Sequence, residues 1–300
     1  MKPEGNIQME GIKVAVSSYS FSSLVSKGLY NPLTLIEKAK EMGFDAIEYA
    51  ELKPHDGSNI LAYAEKLRKE AERVGLPISN FCFGADFLNG SDGNTEAEIT
   101  RVKAMIDAAE AMGVKSVRHD ATQGSKRFRT FELALPVLAQ ACREVTQYAA
   151  EKGIRTMVEN HGFYCQDSLR VEKLVGAINH PNFGLLVDMG NFLCADEDPH
   201  QAVSRVAPLA YYAHAKDFHV KSAAGPNPGR GFFKTRGGTY LRGAIVGHGA
   251  VPVKACLSAL KQSGFTGYVS LEFEGIEEAE MAISIGAENI RRYLGELDQG

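Results

Sequence analysis

Helical patterns in this chain repeatedly end in a glycine, which is followed by an apolar residue and a run of strand-forming residues. Glycine suits the position just beyond a helix because that position commonly needs a positive φ, which a residue without a Cβ adopts easily. The junction glycines are Gly43, Gly75, Gly113, Gly153 and Gly264. The first four are 32, 38 and 40 residues apart, and the last gap of 111 residues has room for three more such units. The spacing therefore predicts eight strand–helix units.

The segments that follow these junctions, and the matching segments between them, read as strands. Several are nearly continuous apolar runs with little alternation, as in Gly-Leu-Leu-Val-Asp, which is typical of parallel strands buried on both faces. The predicted strands are Ile12–Ser18, Phe44–Tyr49, Pro77–Phe83, Val114–Asp120, Ile154–Asn160, Phe183–Asp188, Leu209–Lys216 and Tyr268–Glu274.

Eight β-α units favour a closed (β/α)8 TIM barrel of the α/β class, and an open doubly wound sheet is the alternative. Acidic and histidine residues decide between them because they recur at the carboxyl ends of the predicted strands, which converge on one mouth only in a barrel. These residues are Glu48, His119, Asp120, Glu159, His161, Asp188, His214, Glu272 and Glu274. Although 300 residues could form two domains, we expect an N-terminal tail over 1–11 and a single barrel domain over 12–300.

Composition excludes several classes of protein. The formal net charge of −4 argues against a nucleic-acid partner and against a polybasic membrane anchor. The five cysteines form no C-x-x-C pair, so neither a disulfide framework nor a zinc ribbon is expected. The first eleven residues contain no apolar stretch, so a signal peptide is not expected. No apolar run approaches the about 18 residues of a membrane span. These features predict a cytoplasmic protein with reduced thiols.

Four consecutive strand ends carry the strongest chemical signal, namely Glu159, Asp188, His214 and Glu272. Three carboxylates and an imidazole suit one divalent ion such as Mn²⁺, Mg²⁺, Co²⁺ or Zn²⁺. Taken singly, each glutamate could form a structural ion pair, and His214 could be a hydrogen-bonded core residue. Their joint placement at equivalent strand ends favours a metal site.

The strings Val-Glu159-Asn-His, Val-Asp188-Met-Gly-Asn, His214-Ala-Lys-Asp and Leu-Glu272-Phe-Glu occur in this order. They resemble the xylose isomerase-like TIM-barrel superfamily, and within it the sugar phosphate isomerase/epimerase group, which includes ketose 3-epimerases and inosose dehydratase. The resemblance runs from Val14 to about Tyr293. It implies that Glu159, Asp188, His214 and Glu272 bind one ion, commonly Mn²⁺, and that the two glutamates also transfer protons at the substrate carbon.

The chain departs from the ketose 3-epimerase pattern at two positions. Asn191 stands where those enzymes carry a substrate-contacting histidine, and Val220 stands where they carry an arginine. Both differences argue against activity on free ketoses. The candidate substrate contacts are His161, Asn191, Lys216, His219, Arg242 and His248. Two of them have a structural alternative, since Lys216 could form a salt bridge and His248 could be only a turn residue.

The segment from Phe218 to Ala250 contains five lysines and arginines but no aspartate or glutamate. It is interpreted either as a solvated surface loop or as a lid that attracts an anionic group of the substrate. No Walker or G-x-G-x-x-G motif is present, so no nucleotide cofactor is indicated.

Together these features predict a divalent-metal-dependent isomerase or epimerase that acts on a sugar, polyol or sugar acid through an enediolate. A lyase or dehydratase on a keto-sugar or keto-inositol, including a subunit that cleaves oxidised C-glycosides, shares the same first step and stays open. A hydrolase like endonuclease IV is disfavoured by the eight histidines and the negative charge. A sugar-binding barrel without turnover is the fourth possibility, and a homodimer is possible for any of them.

Overall fold

Eight parallel strands form a closed barrel in a computed structural model that describes residues 11–124 and 127–299. Around the ring their order is β1, β11, β7, β6, β5, β4, β3 and β2, so the last barrel strand closes against the first. The barrel strands are β1 Lys13–Ser17, β2 Ala46–Ala50, β3 Ile78–Phe83, β4 Ser116–His119, β5 Arg155–Glu159, β6 Phe183–Asp188, β7 Ala210–Ala215 and β11 Tyr268–Leu271. All eight strand predictions and the TIM-barrel fold are confirmed.

Helices cover the outside of this barrel. Between the helices and the strands lies the main hydrophobic core, to which every barrel strand contributes. The helices are α1 Ser22–Ser26, α2 Thr34–Glu41, α3 Ile60–Val74, α4 Gly90–Gly93, α5 Thr95–Met112, α6 Phe131–Glu151, α7 Ser168–Ile178, α8 Asn191–Cys194, α9 Pro199–Val206, α10 Val253–Gln262 and α11 Ala279–Asp298. None of the described helices is both long and apolar enough to cross a membrane.

The junction glycines behave as the repeat predicts, because all five have a positive φ, between 68° and 86°. The helix α7 is followed by Asn179 in place of a glycine, and Asn179 adopts the same left-handed conformation, with a φ of 44°. Asparagine tolerates this region better than most residues, so it can end a helix in the same way. Residues 1–10 of the predicted N-terminal tail lie outside the described residues.

Residues 218–250 combine exposed loops with short strands and are not one continuous loop. Three antiparallel strands, β8 Asp217–Lys221, β9 Phe233–Lys234 and β10 Tyr240–Ala244, form a small sheet in the order β8, β10, β9. Two of the five basic residues of 218–250 pair with acidic residues elsewhere in the chain. Arg236 pairs with Asp167, and Arg242 pairs with Glu277, each at 3.0 Å.

Strand alternation decides which residues face the inside of the barrel. Met157, Leu186 and Tyr212 pack together there with Cys82. Each of the first three precedes a predicted metal ligand by two residues, and residues two apart in a strand point to the same face. This apolar layer closes the barrel beneath the polar residues at the strand ends.

Candidate metal centre

The four predicted ligands meet at the carboxyl end of the barrel. One ligand atom from each of Glu159, Asp188, His214 and Glu272 lies within 4.8 Å of all the others, and all four residues are buried. His214 Nδ1 is 3.6 Å from Glu159 Oε1, Asp188 Oδ2 and Glu272 Oε2 alike. Three carboxylate oxygens therefore surround one imidazole nitrogen at equal distances.

This arrangement fits a divalent ion. Two of its buried atoms are incompletely satisfied. His214 Nδ1 forms no hydrogen bond, and Asp188 Oδ2 has an ion-pair contact with Lys216 Nζ at 3.1 Å but no well-aligned hydrogen bond. Such atoms are costly to bury unless another group engages them. Two ligands held about 2.1 Å from one ion at a tetrahedral angle are about 3.4 Å apart, close to the observed spacing. An oxygen-rich set with one nitrogen suits Mn²⁺, Mg²⁺, Co²⁺ or Zn²⁺.

Backbone contacts fix Asp188 at the end of β6. Its Oδ1 accepts hydrogen bonds from the backbone N–H groups of Gly190 at 2.8 Å and Asn191 at 2.9 Å. The Asn160 side chain donates to Asp188 O and accepts from Asp188 N, each at 2.9 Å, so it clamps the ends of β5 and β6 together. These bonds direct Oδ2 toward His214.

Glu159 is held from two sides. The Asn191 amide donates to Glu159 Oε1 at 2.9 Å, and Arg118 Nη2 lies 2.5 Å from Oε2. Arg118 also pairs with Asp120 at 2.9 Å. Burial alone would raise the pKa of Glu159, but the charges of Arg118 and His214 outweigh it and hold that pKa well below its usual range. Glu159 is thus kept ionised.

A chain of hydrogen bonds across the barrel interior orients His214. Ser116 Oγ donates to Asn80 Oδ1 at 2.8 Å, and Asn80 Nδ2 donates to Glu48 Oε2 at 3.1 Å. Glu48 Oε1 lies 2.8 Å from His214 Nε2 and, as a carboxylate, can only accept. Nε2 therefore carries a proton. Burial would lower the pKa of His214, but the charges of Glu48 and Glu272 raise it well above its ordinary value, so Nδ1 is protonated as well when no ion is bound. A bound divalent ion would take the place of the Nδ1 proton among the three carboxylates.

Glu48, Cys82 and His214 form a second group of possible ligand atoms. Here the polar atoms already bond one another, since Asn80 Nδ2 also lies 3.3 Å from Cys82 Sγ. Burial raises the pKa of the Cys82 thiol, which keeps it protonated and a poor metal ligand. This group therefore supports His214 rather than forming a separate metal site.

Lys216 balances part of the negative charge. Its Nζ lies 2.5 Å from Glu272 Oε2, 2.9 Å from Glu274 Oε1 and 3.1 Å from Asp188 Oδ2. Burial would lower the pKa of Lys216, but these carboxylates raise it well above its ordinary value. Within the described part of the chain, two permanent cations, Arg118 and Lys216, nevertheless face six carboxylates, those of Glu48, Asp120, Glu159, Asp188, Glu272 and Glu274. A bound dication would offset this excess.

A cavity of about 860 Å³ opens onto the centre. Of the predicted substrate contacts, His161 and Lys216 line this cavity. Asn191 is not among the lining residues, but its side chain bonds Glu159, which is. His161 Nδ1 bonds Asp120 Oδ1 at 3.0 Å, and this bond raises the histidine pKa against the lowering effect of burial.

The other three predicted contacts lie away from the cavity. His219 and Arg242 are cross-strand neighbours in the small antiparallel sheet, and His248 follows that sheet in a turn. None of these three, nor any residue of 218–250, lines the cavity. These three residues belong to the small sheet and the turn after it, and not to the ends of the barrel strands. Counting residues along the sequence from His214 could not show this.

Sequence reasoning missed Arg118 and assigned no role to Glu48. Arg118 precedes His119 on β4, so the two side chains point to opposite faces. His119 lies among the rings of Phe83, Phe87 and Phe183, whereas Arg118 lines the cavity. The sequence did contain a signal for Arg118. Arg118 pairs with Met157 on the neighbouring strand, and Met157 points to the same face as Glu159 because the two are two residues apart.

The closed eight-stranded barrel and the three-carboxylate, one-imidazole cluster at its carboxyl mouth define a TIM-barrel protein with a candidate divalent-metal site. The chain belongs to the xylose isomerase-like TIM barrel family, whose model matches residues 36–293. The family resemblance found in the sequence is thereby confirmed.

Two curated relatives are enzymes. A 3-oxo-isoapionate decarboxylase from Pectobacterium atrosepticum is 27% identical over 212 residues, which cover 68% of each chain. An inosose dehydratase from Clostridium botulinum is 23% identical over 246 residues, which cover 77% of this chain and 78% of the relative.

Solved structures share the fold. A 3-keto-D-glucoside 4-epimerase from E. coli is 17% identical, with a TM-score of 0.68 and coverage of 94% of this chain and 99% of the other. A barrel protein from Mycobacterium smegmatis in complex with magnesium is 16% identical, with a TM-score of 0.71 and coverage of 95% and 97%. The IOLI protein with a zinc atom is 18% identical, with a TM-score of 0.69 and coverage of 95% and 98%.

Proposed function

We propose that this protein is a divalent-metal-dependent enzyme that isomerises or epimerises a sugar, a polyol-derived ketone or a sugar acid by moving a proton on the carbon beside a carbonyl. The observation that carries the proposal is the equal 3.6 Å spacing of three carboxylate oxygens around His214 Nδ1. Glu159, Asp188, His214 and Glu272 would hold the ion. Mn²⁺ is our first choice, and Mg²⁺, Zn²⁺ and Co²⁺ are alternatives.

A bound ion would polarise the substrate carbonyl and stabilise the enediolate that forms when the neighbouring carbon loses its proton. The protein supplies the groups that move this proton. Glu159 and Glu272 stand on strands that lie on opposite sides of the β5–β6–β7–β11 arc, so each could serve one face of the substrate. Lys216 and His161 line the same cavity and offer donors for the sugar hydroxyls.

A lyase is the second candidate, and the names of the two curated relatives favour it. One is a decarboxylase and the other is a dehydratase, and both reactions can proceed through an enolate beside a carbonyl. In this chain the proton-transferring residues would start a dehydration by removing the proton beside the carbonyl. In a decarboxylation the loss of carbon dioxide forms the enolate, and the same residues would then protonate it. The outcome would then depend on whether the substrate carries a group that can leave as water or carbon dioxide.

The test is incubation of the metal-loaded protein with keto-sugars, keto-inositols and 3-oxo sugar acids in D₂O. An isomerase places solvent deuterium in a product of unchanged composition, whereas a lyase releases water or carbon dioxide. Absence of both results across the panel would refute the proposal.

Metal binding is tested separately by elemental analysis. We expect about one ion per chain in the wild type and in the His219→Ala control, and a large loss in the Asp188→Ala/His214→Ala double variant. Equal ion content in all three proteins would remove the four residues as the metal site.

The substrate is proposed to be a small molecule, since nothing in the described residues points to nucleic acid or membrane. All five cysteines are free and buried, which suits a reducing compartment, and we propose a cytoplasmic location.

A further inference from the structure

The cavity above the metal centre has two parts with different chemistry. Its inner part is lined by ionisable residues at the strand ends, among them Arg118, Glu159, Lys216 and Glu272. Its outer part extends beneath the segments that follow β1 and β2. We call this part the outer chamber and define it by Tyr19, Val25, Leu29, Tyr30, Pro32 and Leu35.

Large apolar side chains of the outer chamber are accessible. Leu29 is 64% exposed and Tyr19 is 47% exposed, although both line the wall of a cavity. A single exposed leucine carries no information, but adjoining apolar side chains in a concave site form a surface that gains free energy when it is covered.

Most polar side-chain groups near the outer chamber, other than the Tyr19 hydroxyl, are engaged within the protein. The Tyr30 hydroxyl donates to Glu280 Oε1 at 2.8 Å, and the Tyr49 hydroxyl donates to Pro32 O. Asn31 Oδ1 accepts from Leu33 N at 2.9 Å. An occupant of this part therefore meets mainly ring and aliphatic surface, with the Glu51–Lys53 ion pair as the nearest charged groups on that side. A sugar in the inner part meets the charged groups at the strand ends.

The volume also exceeds what one sugar ring needs. Cavities of about 300–1,000 Å³ typically take drug-sized ligands, and this cavity of about 860 Å³ lies toward the upper end of that range. If the sugar carbonyl sits at the metal centre, whatever is attached to the other side of the sugar extends into the outer chamber.

We propose that the outer chamber is a subsite for an apolar or aromatic group attached to the sugar, so that the substrate is a substituted keto-sugar of the glycoside type rather than a free monosaccharide. This inference rests on the proposed function for the position of the sugar. It adds the class of substituent and the residues that receive it, with Leu29 and Tyr19 as the principal contacts.

The experiment compares phenyl with methyl glycosides of D-glucose, D-galactose and D-xylose by calorimetric titration of the metal-loaded protein. We expect the phenyl compound to bind at least tenfold more tightly for one or more of the sugars. Leu29→Ala should reduce this preference and Leu29→Asp should abolish it. The matched controls are Leu133→Ala and Leu133→Asp, because Leu133 is a comparably exposed leucine, 58%, on α6 outside the cavity.

Equal affinity for phenyl and methyl partners in all three sugars would overturn the proposal, as would a preference that persists in Leu29→Asp. Deuterium exchange on the same preparations separates this result from the proposed function. Exchange without a phenyl preference overturns the subsite alone. A phenyl preference that depends on Leu29, without exchange on any substrate, supports the subsite and overturns the proposed reaction.

Discussion

The hydrogen-bond chain behind His214 can be tested by changing Glu48, which is fully buried and touches no other predicted metal ligand than His214. Glu48→Gln keeps an oxygen that can accept from His214 Nε2 but removes the negative charge. Glu48→Leu removes the acceptor as well, so the imidazole is no longer held with its proton on Nε2 and the tautomer that presents Nδ1 loses its support.

The expected loss follows from the role of Glu48. Carboxylates that orient a metal-binding histidine typically contribute about 10- to 100-fold to metal affinity. Because Glu48→Gln loses only the charge, we expect about a tenfold weaker Kd for Mn²⁺, or about 1.4 kcal/mol. For Glu48→Leu we expect a loss nearer 100-fold, or about 2.7 kcal/mol.

The assay is competition for Mn²⁺ against a fluorescent chelator, with thermal unfolding to verify the fold of each variant. Nitrogen NMR of the zinc-loaded protein reports which ring nitrogen of His214 carries the proton. The matched control is Thr156→Val. Thr156 is a buried polar residue whose hydroxyl bonds that of Thr146 at 2.7 Å, and it takes no part in the hydrogen-bond chain behind His214. Wild-type Mn²⁺ affinity in a folded Glu48→Leu protein, or a proton on Nδ1 of the zinc-loaded wild type, would refute the reasoning.

Three further predictions concern single residues. Glu272→Gln should retain most of the metal yet lose turnover by about 100-fold or more, measured by deuterium exchange at saturating metal. Burial lowers the pKa of His119 to about 4, so as the pH falls from about 6.5 the unfolded chain gains a proton that the folded chain excludes, and stability falls by up to about 3 kcal/mol. Denaturant unfolding at pH 7 and pH 4.5 should show this loss reduced in His119→Leu. Asp217 accepts from the backbone N–H groups of Phe218, Gly247, Gly249 and Val251. Asp217→Asn should therefore cost about 2–3 kcal/mol of stability with an unchanged metal Kd.

The strands and the four clustered residues were predictable because both depend on local pattern plus one topological fact. Apolar runs between glycine junctions mark buried parallel strands, and the carboxyl ends of such strands meet in a barrel. Glu159, Asp188, His214 and Glu272 could be brought together without knowledge of any side-chain contact. The prediction did not require exact strand ends, since Glu272 follows β11, which ends at Leu271, and still joins the cluster.

The remaining contacts depend on register and on partners distant in sequence. Glu48 bonds His214 across 166 residues, and nothing local to either residue indicates the pair. The absence of acids in 218–250 suggested an anion-binding lid, but the partners of Arg236 and Arg242 lie in other segments. The charges within one segment therefore did not predict the charges that surround its arginines in the folded protein.

The ion pairs at the centre make its two glutamates unequal. Arg118, itself fixed by Asp120, holds Glu159. A guanidinium remains charged at every working pH, so this partner keeps Glu159 a weak base. Glu272 instead shares the ammonium of Lys216 with Asp188 and Glu274, on a side chain whose rotatable stem can redirect it when a substrate enters. Loss of this shared contact would free the Glu272 carboxylate to approach a substrate proton, while Glu159 stays paired with Arg118. The substitution that separates proton transfer from metal binding is therefore better made at Glu272 than at Glu159.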